Sequence, residues 1–506
     1  MTAPVRAPSW AVHLPPGTGS VDLAEGGSLP GAFTGAWAAH PRRTILSTLD
    51  GGRVTADELE ARTSSAAGRY AAAGLTPGDR VLLSGATSVD LVVAYLAALR
   101  FGLTVVPANS GSPPAELARL VAGAGPALAV LDSPERLGGG PVDATTPDLA
   151  SLPRPSGPAE LDRARPDDVA LIIYTSGTTG RPKGVPLSHA NLLASAHAVR
   201  LAWRWQPDDR LALCLPLFHV HGLGVGLHGT LVTGASTTLI PRFEPAAVAS
   251  AIAYDGATMF FGVPTMYHRL AASAHLPDLS RLRLAVSGSA PLPAGLHAAI
   301  RDGSGQVVLE RYGMTETVML VSNPYDGERR PGTVGFPLPG VEVRLAPRSG
   351  GPTEIEVRGP NVIAGYLDDP AATKAAFTAD GWLRTGDLGE LDPDGYLRIS
   401  GRAKELIISG GYNVYPREVE EALREHPGVA DAAVVGAPSA EWGETVVAFV
   451  VAAEPIDPAG EDALAGTLAA WCAGRLVGYK RPREWRFVAA IPRNALGKIE
   501  RHRLGR

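Results

Sequence analysis

The sequence is poor in cysteine: its 506 residues include only Cys214 and Cys472, far apart and in no metal-ligand spacing. This does not fit a disulfide framework or a zinc site, and it favours a reducing compartment. Long apolar runs are missing too, because three histidines interrupt the richest candidate, residues 211–232, and a membrane span needs roughly 20 apolar residues. The N-terminus does not resemble a secretory signal. We therefore expect a soluble, cytoplasmic protein without stable membrane insertion.

The chain also lacks an excess of charge of one sign. It has 46 Lys plus Arg against 51 Asp plus Glu, a formal net charge of -5. This balance gives no broad positive field for nucleic acid, so phosphate groups have to be bound by a local site. Hydrophobic residues make up 45% of the chain and charged residues 19%, which excludes wholesale disorder. The length exceeds the roughly 250–300 residues of a single core and predicts more than one domain.

What the first half of the sequence does contain is an alternation of helix-like and strand-like segments. The alanine-rich residues 56–73 predict a helix, and residues 91–99 predict another. Apolar runs at 81–83 and 103–106 predict buried strands. Residues 138–168 fill with Gly, Pro and Ser and predict a surface connection. The alternation predicts a wound α/β sheet.

The pattern changes towards the C-terminus, where short strands and turns replace the long alternation. Residues 354–358 predict a strand, and the Asp-Pro-Asp-Gly sequence at 392–395 predicts a turn before another strand. Pro416 is well placed as the first residue of a helix. We place a domain boundary at 401–404. At the other end of the chain, residues 1–30 predict a flexible lead-in rich in Pro and Gly.

A loop rich in glycine and hydroxyl groups follows the strand-like residues 169–173. Residues 174–184 read YTSGTTGRPKG. Backbone N–H groups, Ser and Thr hydroxyls and the Lys183 cation in such a loop favour binding of a phosphate chain. Pro182 stands where a Walker loop requires Gly, so this is a different motif. A plain polar turn is the alternative, but it does not account for so many Gly and Thr residues beside one Lys.

This loop resembles the phosphate-loop signature of the adenylate-forming superfamily, which includes acyl-CoA synthetases, luciferases and peptide-synthetase adenylation domains. Further signatures of that superfamily follow in order. They are PLFHVHG (216–222), SGSAPLP (287–293), ERYGMTET (310–317), GWLRTGDLG (381–389), GRAKELIISGGYNVYPREVE (401–420) and PRNALGK (492–498). The resemblance extends from about residue 30 to the end of the chain, and its nearest branch is the malonyl-CoA synthetases.

The resemblance implies an α/β fold with a large N-terminal domain, residues 31–400, made of wound α/β sheets and a β-rich subdomain. A hinge at 401–404 would join it to a small, mobile C-terminal α/β domain, residues 405–506. The implied activity is that of an ATP-dependent acid–CoA ligase. Such an enzyme first activates the acid as an acyl-adenylate with release of pyrophosphate. It then passes the acyl group to the thiol of coenzyme A (CoA) with release of AMP.

The first step brings ATP and Mg²⁺ to the substrate carboxylate, so the site must neutralise charge and hold the groups in line. By the resemblance, the residues matched to the phosphates are Thr175, Ser176, Gly177, Thr178, Thr179 and Lys183. Those matched to the adenine are Ser289, Ala290, Pro291, Glu310, Arg311, Tyr312 and Gly313. Thr315 would contact the α-phosphate, and Glu316 would help to hold Mg²⁺, which prefers oxygen ligands. Asp387 and Arg402 would bind the ribose.

The catalytic lysine of the superfamily matches Lys498, which would bridge the attacking carboxylate and the α-phosphate. An exposed tail lysine is the ordinary alternative, and only the flanking PRNALGK sequence argues against it. After adenylation the C-terminal domain would rotate about Lys404. The residues expected to line the CoA tunnel are Ser409, Gly410, Gly411 and Tyr412. The basic residues 480–483 could bind the 3′-phosphate of CoA, but a solvated turn explains them equally well.

The acid itself is predicted less directly. The candidate walls of the acid site are small, polar or moderately bulky, which favours a short polar acid; they include Gly262, Ser287 and Met314. By the resemblance, His219 would be a gate beside this site. Malonate or methylmalonate, the acid that the resemblance implies, carries a second carboxylate that needs a cation. Arg283 matches the arginine of the malonyl branch and has the planar guanidinium that binds a carboxylate with two hydrogen bonds. A solvated arginine at a strand edge is the alternative, and His221 and Arg242 are further candidates.

Three other functions stay open on the sequence alone. A synthetase for short or medium-chain fatty acids would share the adenylation motifs, as would a stand-alone adenylation enzyme that loads a carrier protein. A non-catalytic relative would have lost residues such as Lys183, Glu316, Asp387 or Lys498, and all four are present. We expect ATP, Mg²⁺ and CoA as cofactors and co-substrates, a small carboxylic acid as the partner, and a monomer or homodimer.

Overall fold

The computed structural model describes residues 5–6, 10–18, 21–138, 142–175, 183–347, 352–409, 412–439, 442–494 and 497–504. Over these residues the strands, numbered in chain order, are β1 (Val5–Arg6), β2 (Thr44–Thr48), β3 (Arg53–Thr55), β4 (Arg80–Ser84), β5 (Thr104–Pro107), β6 (Leu128–Leu131), β7 (Ala144–Thr145), β8 (Val169–Thr175), β9 (Lys183–Ser188), β10 (Arg210–Leu213), β11 (Ser236–Leu239), β12 (Met259–Gly262), β13 (Leu284–Ser287), β14 (Leu309–Tyr312), β15 (Val321–Ser322), β16 (Phe336–Pro337), β17 (Glu342–Leu345), β18 (Thr353–Arg358), β19 (Leu383–Leu391), β20 (Leu397–Arg402), β21 (Ile407–Ser409), β22 (Tyr412–Val414), β23 (Val429–Ser439), β24 (Gly443–Ala452) and β25 (Glu484–Phe487).

The α-helices are numbered in the same way. They are α1 (Leu29–Ala39), α2 (Ala56–Ala72), α3 (Val89–Phe101), α4 (Pro114–Ala124), α5 (His189–Ala202), α6 (His228–Thr233), α7 (Pro245–Tyr254), α8 (Pro264–Ala271), α9 (Ala294–Ser304), α10 (Pro370–Ala376), α11 (Pro416–Arg424) and α12 (Pro458–Ala473). Their N-termini follow ordinary capping rules: Ser88 caps α3 and Ser188 caps α5 through side-chain bonds to backbone N–H groups, and Pro264 and Pro416 stand at first positions.

A nine-stranded sheet in the order β16-β15-β14-β13-β12-β10-β11-β2-β3 forms the centre of the large domain. From β14 to β2 its neighbouring strands pair in parallel. The carboxyl ends of these strands therefore lie along one edge, the carboxyl edge, and their amino ends along the opposite edge, the amino edge. Open parallel sheets bind ligands beyond the carboxyl edge.

A second, six-stranded sheet has the order β7-β6-β4-β5-β8-β9, parallel except for the β8–β9 hairpin. Helices α3 and α5 are buried on nearly every face and lie in a core that takes in strands of both sheets. This is why their sequences lack the one-sided pattern of surface helices.

Two further sheets have five strands each. The antiparallel sheet β1-β17-β18-β19-β20 belongs to the large domain, and the sheet of β21 to β25 packs on α11 and α12 around its own small core. The change from one sheet to the other falls between Arg402 and Ile407, across a short 3₁₀ turn, Ala403–Glu405. The expected α/β class, with a large and a small domain, is confirmed.

Two local expectations need correction. In the described part of residues 1–30, the chain packs on the large domain: β1 pairs with β17, and the buried His13 ring bonds to the Phe336 carbonyl at 3.2 Å. The connection over 138–168 contains β7, which extends the six-stranded sheet.

Both cysteines are buried and free. In the described part of the chain we find no helix that combines the length and apolar character needed to cross a membrane.

Candidate functional site

The residues predicted for the site come mostly from the ends of parallel strands at the carboxyl edge. His219 and His221 follow β10, Gly262 ends β12, Ser287 ends β13, and Tyr312 ends β14. Since these strands pair side by side, their following loops converge. The local fold therefore gathers segments that are up to about a hundred residues apart in the sequence.

Thr175 and Lys183 close the β8–β9 hairpin and are register partners across it. The ammonium of Lys183 lies 4.8 Å from the centroid of the Tyr366 ring, a cation–π distance. Ser176, Gly177, Thr178 and Thr179, predicted to hold phosphates, lie outside the described residues. The described part of the hairpin thus holds one cation at the mouth of the glycine-rich loop.

Glu316 is buried in the turn that follows β14, directly after Thr315. Its Oε1 accepts a hydrogen bond of 3.0 Å from the Tyr366 hydroxyl, and its carbonyl accepts one of 3.0 Å from the Ile363 N–H. Among the described residues no group of three or more His, Cys, Asp or Glu could hold a metal ion. A single carboxylate still fits Mg²⁺, which takes its other ligands from phosphates and water. Glu316 is therefore a suitable protein ligand for magnesium bound together with ATP.

Asp387 is a buried carboxylate with two partners. Its Oδ1 pairs with Arg402 Nε at 3.0 Å, and its Oδ2 accepts a 2.5 Å hydrogen bond from the Tyr312 hydroxyl. Asp387 and Arg402 are register partners on β19 and β20, which fixes this pair by backbone pairing. A carboxylate has about four acceptor sites, so Asp387 can still accept bonds from two ribose hydroxyls.

The residues predicted around the adenine lie in two adjacent segments of backbone. Ser289 has a φ of +68°, in the left-handed region, and Ala290 and Pro291 follow it. Glu310 accepts from the N–H groups of Leu292 and Gly332, and burial raises the pKa of its carboxyl to about 7. Glu310 thus ties the SGSAPLP loop in place. Gly313 has no room for a side chain, since a Cβ would come within 2.2 Å of the Val318 carbonyl.

Arg283 does not lie where the sequence analysis expected it. It precedes β13, so it stands at the amino edge, about 13 Å along the strand from Ser287. Two of its nitrogens bind both carboxylate oxygens of the buried Asp209, and its guanidinium also bonds the Trp203 carbonyl at 3.1 Å. The predicted role in binding a second carboxylate is wrong, because the charge is already neutralised and faces the other end of the sheet.

Arg311 is the arginine at the carboxyl edge, and the sequence analysis assigned it to the adenine. Its side chain lies against Gly288, where a Cβ would come within 2.4 Å of the guanidinium carbon. It is 6% exposed, and burial lowers the pKa of the guanidinium to about 9. Its Nε and Nη2 have no hydrogen-bond partner among the described residues. Within the described part of the chain, Arg311 is thus a buried cation without a carboxylate partner.

His221 borders the same guanidinium, whose charge adds to burial in holding the pKa of the imidazole well below its usual value. Its Nδ1 bonds the Ser289 hydroxyl at 3.1 Å, whereas its Nε2 and the Ser287 hydroxyl have no partner in the described structure. Buried polar atoms without a partner are costly, and several of them side by side suit a water molecule, an ion or a ligand. We call Arg311, His221 and Ser287 the polar pocket.

The other predicted acyl residues border this region. The His219 ring lies tilted against that of Phe218, with ring centroids 4.3 Å apart, and burial lowers the pKa of its imidazole to about 4, so it is neutral at physiological pH. Gly262 lies against Phe260 and Tyr267, and Met314 packs on the core. Arg242, after β11 at the same edge, is exposed and has no ion-pair partner within the described ranges.

Lys498 comes from the small domain to the carboxyl edge of the large one. Burial lowers the pKa of its ammonium to about 8; nearby Arg402 lowers it further, while Asp387 and Glu405 oppose the shift. The preceding Gly497 has a φ of +75° and lies against Thr265 of α8, after β12. The structure therefore brings Lys498, Asp387 and Arg402 together.

The loop that carries Lys498 is fixed by an arginine that the sequence analysis did not single out. Arg493 donates to the Gly497 carbonyl at 2.7 Å and pairs with Asp431 at 2.7 Å. In the hinge region Lys404 is exposed in the 3₁₀ turn, and Ser409 is buried. Tyr412 is exposed and stacks on Tyr479 at 4.6 Å. Gly410 and Gly411 lie outside the described residues.

Two family models match the chain: one described as AMP-binding enzyme matches residues 33–367, and one described as AMP-binding enzyme C-terminal domain matches residues 418–498. A sulfoacetate–CoA ligase from Cupriavidus necator is 40% identical over 92% of this chain and 95% of the relative. A feruloyl-CoA synthase from an Amycolatopsis species is 38% identical over 89% and 93%. A mitochondrial malonate–CoA ligase from Mus musculus is 36% identical over 84% and 81%.

Two solved structures represent different states of similar enzymes. ATP-bound MatB from Rhodopseudomonas palustris is 38% identical, with a TM-score of 0.85 over 94% of this chain and 98% of that one. A malonyl-CoA ligase in a ternary product complex with methylmalonyl-CoA and AMP is 43% identical, with a TM-score of 0.65 over 89% and 97%. The chain resembles the ATP-bound structure more in shape, although the product complex is nearer in sequence.

Proposed function

The chain belongs to the family of AMP-binding enzymes and is an ATP-dependent, AMP-forming acid–CoA ligase, and we propose that its acid carries a second anionic group on the carbon next to the reacting carboxylate. Malonate and methylmalonate are such acids, and so is sulfoacetate. The observation that carries the proposal is the buried Arg311 guanidinium, two of whose nitrogens have no hydrogen-bond partner among the described residues.

An unpaired ion in a protein interior costs several kcal/mol, so a buried arginine normally has a carboxylate beside it. Arg283 follows that rule with Asp209, whereas Arg311 has no such partner in the described structure. The second anion of a short diacid would neutralise Arg311 and would give its planar guanidinium two hydrogen-bond acceptors. The His221 and Ser287 atoms that lack partners would add donors beside it.

The size of the pocket side chains supports the same class of acid. Gly288 leaves space only for the guanidinium, and Gly262 is closed off by the Phe260 and Tyr267 rings. A ferulate or a fatty chain would bring an apolar group to Arg311 and leave the charge unpaired. An acid of two to four carbons with a second carboxylate or a sulfonate would pair with that charge instead. We therefore rank ferulate and fatty acids second, despite the feruloyl-CoA synthase among the relatives.

In the first step an oxygen of the substrate carboxylate attacks the α-phosphorus of ATP, and the bond to pyrophosphate breaks. Lys183 and the glycine-rich loop would hold the β- and γ-phosphates, and Thr315 would contact the α-phosphate. Lys498 would stabilise the charge that develops between the carboxylate and the α-phosphate. Asp387, with Arg402, would fix the ribose. Glu316 would hold Mg²⁺, which neutralises phosphate oxygens when bound.

In the second step the CoA thiol attacks the acyl carbon, and AMP leaves. Lys498 lies near Arg402 and Asp387, the residues that we propose to bind the ribose, in an arrangement of the domains that resembles the ATP-bound relative, so it would have to withdraw before the thiol enters. Rotation about Lys404 would achieve that. Ser409, Gly410, Gly411 and Tyr412 would then border the path of the pantetheine arm. Loading of a carrier protein instead of CoA remains the alternative for this step.

The proposal is tested by measuring AMP release with ATP, Mg²⁺ and CoA against malonate, methylmalonate, sulfoacetate, propionate, octanoate and ferulate. We expect kcat/KM for the acids with a second anion to exceed that for propionate by at least about a hundredfold, the effect of leaving a buried charge unpaired. A preference for octanoate or ferulate would contradict the proposal and would leave the acid–CoA ligase activity in place.

A further inference from the structure

A short stretch of chain connects the magnesium candidate to the phosphate hairpin. We call residues 361–367 the strap. At one end the Asn361 amide donates to the Thr317 carbonyl at 2.8 Å, and the Ile363 N–H donates to the Glu316 carbonyl at 3.0 Å. The strap is therefore fastened to the turn that holds Glu316.

The other end of the strap is fastened to the hairpin. The Leu367 N–H donates to the carbonyl of Gly184, the residue next to Lys183, at 2.9 Å. The Tyr366 N–H donates to the Thr373 hydroxyl of α10 at 2.9 Å. Hydrogen bonds at both ends thus hold the strap between the two parts of the ATP site, and the bond to Thr373 also ties it to α10.

Tyr366 is the one strap residue whose described side chain reaches both parts. Its hydroxyl donates to Glu316 Oε1 at 3.0 Å, and the ammonium of Lys183 lies over its ring at 4.8 Å. A carboxylate oxygen can only accept, so the hydroxyl is the donor in this bond. Because the hydroxyl occupies one carboxylate oxygen, the second oxygen of Glu316 is left for another ligand.

We propose that Tyr366 is a positioning residue for adenylation. Its hydroxyl orients the Glu316 carboxylate, and its ring holds the Lys183 ammonium by a cation–π contact. A metal ligand and a phosphate-binding cation are thereby set against one rigid side chain. The ring attracts the ammonium without using any of its three N–H donors, which remain available to phosphate oxygens. This inference rests on the proposed ATP-binding roles of Glu316 and Lys183 and is independent of the acid.

The strap could also be ordinary packing, and the two explanations differ in what a missing hydroxyl changes. Packing predicts that Tyr366→Phe affects only stability, since the ring is kept. Positioning predicts a selective loss of magnesium-dependent binding, because a carboxylate released from its hydrogen bond is less well oriented. A control is Tyr396→Phe, which removes a hydroxyl that bonds the Glu328 carbonyl at 2.9 Å, away from the site.

The test measures ATP binding by calorimetry, without acid, in saturating Mg²⁺ and in EDTA. For Tyr366→Phe we expect the gain in affinity from Mg²⁺ to fall about tenfold, the effect of losing a hydrogen bond to a charged group, with binding in EDTA unchanged. In steady state, the Mg²⁺ concentration for half-maximal rate should rise by a similar factor. Tyr366→Leu should in addition weaken ATP binding in EDTA about threefold, since Lys183 loses its cation–π contact with the ring. Tyr396→Phe should match the wild type.

Two results would overturn the inference. One is a wild-type response to Mg²⁺ in a folded Tyr366→Phe variant, with folding checked by its melting temperature. The other is a Tyr366→Phe effect of full size in a Glu316→Gln background, since a residue that acts through Glu316 should then have little left to change. If instead no acid with a second anion is a substrate, the proposed acid is wrong, and these ATP-binding results still decide the role of Tyr366.

Discussion

At the amino edge of the nine-stranded sheet, Arg283 binds both oxygens of Asp209, whereas at the carboxyl edge Arg311 keeps two N–H groups without a partner in the described structure. Both side chains belong to neighbouring strands of one sheet, and both are largely enclosed. The paired arginine serves the fold, since its charge is satisfied inside the protein. The unpaired arginine is a buried positive charge that a substrate anion can neutralise.

The comparison also explains the difference in the pKa values of the two groups. Asp209 keeps the pKa of the Arg283 guanidinium above its usual value despite burial, and burial alone lowers that of Arg311 to about 9. Lys498, which reaches the carboxyl edge from the small domain, is shifted in the same direction as Arg311. In the absence of ligands the charged forms of Arg311 and Lys498 are thus destabilised, whereas that of Arg283 is stabilised.

The largest effect should come from Arg311→Met, which removes the unpaired charge and keeps much of the volume. We expect kcat/KM for malonate or sulfoacetate to fall at least about a hundredfold, because the buried anion of the acid loses its partner. Propionate should be used at least as well as by the wild type. Pyrophosphate exchange with both acids measures this, and an equal loss for both would show that Arg311 does not distinguish them.

A smaller effect is expected from Gly288→Ala. The new Cβ would lie 2.4 Å from the Arg311 guanidinium carbon, so the arginine has to move while its charge remains. We expect about a tenfold loss of kcat/KM for the acid with two anions, in the range of a misplaced binding group. The matched control is Gly295→Ala, at a site where a Cβ meets nothing within 4 Å. Equal behaviour of the two variants would contradict the contact.

The pH dependence separates the two edges further. The pKa of Lys498 is lowered to about 8, so the ammonium loses its proton as the pH rises through 8. Below that value the cation is present, and above it kcat/KM for the adenylation step should fall about tenfold per pH unit. Lys498→Arg should lose this alkaline decline, whatever its absolute rate. A decline at the same pH in Lys498→Arg would assign it to another group.

The smallest effect on activity is expected from Arg283→Met. Removing the partner of the buried Asp209 should lower the free energy of unfolding by about 3 kcal/mol, which chemical denaturation measures. The folded fraction should keep kcat/KM for malonate or sulfoacetate within about twofold, since the side chain lies at the far edge. A selective loss of activity with the acid that has two anions, at unchanged stability, would restore the role first predicted for Arg283.

The sequence was sufficient for the fold class and for naming several residues that the structure brings close together, because both are encoded in local motifs. The alternation of segments predicts the α/β sheets, and Pro416 begins α11 as expected. Asp387 and Arg402 are close because strand pairing sets them opposite each other. The sequence could not tell which arginine is free, since Asp209 is 74 residues away from Arg283 and pairs with it only through the sheet.

Tyr366 was missed for a related reason. Nothing in its surrounding sequence marks it, and its contacts with Glu316 and Lys183 depend on a strap that joins two separate segments. For Arg311 a signal was present: a basic residue inside the short strand Leu309–Tyr312 of a buried parallel sheet must find either a partner or a ligand. The sequence analysis assigned the whole ERYG motif to the adenine and therefore did not consider Arg311 as a binding residue for the acid.

The most direct test of the account is a crystal structure of the enzyme with a non-hydrolysable analogue of malonyl- or sulfoacetyl-adenylate. We expect the second anion to lie within about 3.2 Å of Nε and Nη2 of Arg311, with Arg283 still bound to Asp209. If the anion instead lies at another cation, such as Arg242, and Arg311 still has no partner, the claim that the unpaired arginine selects the acid is contradicted.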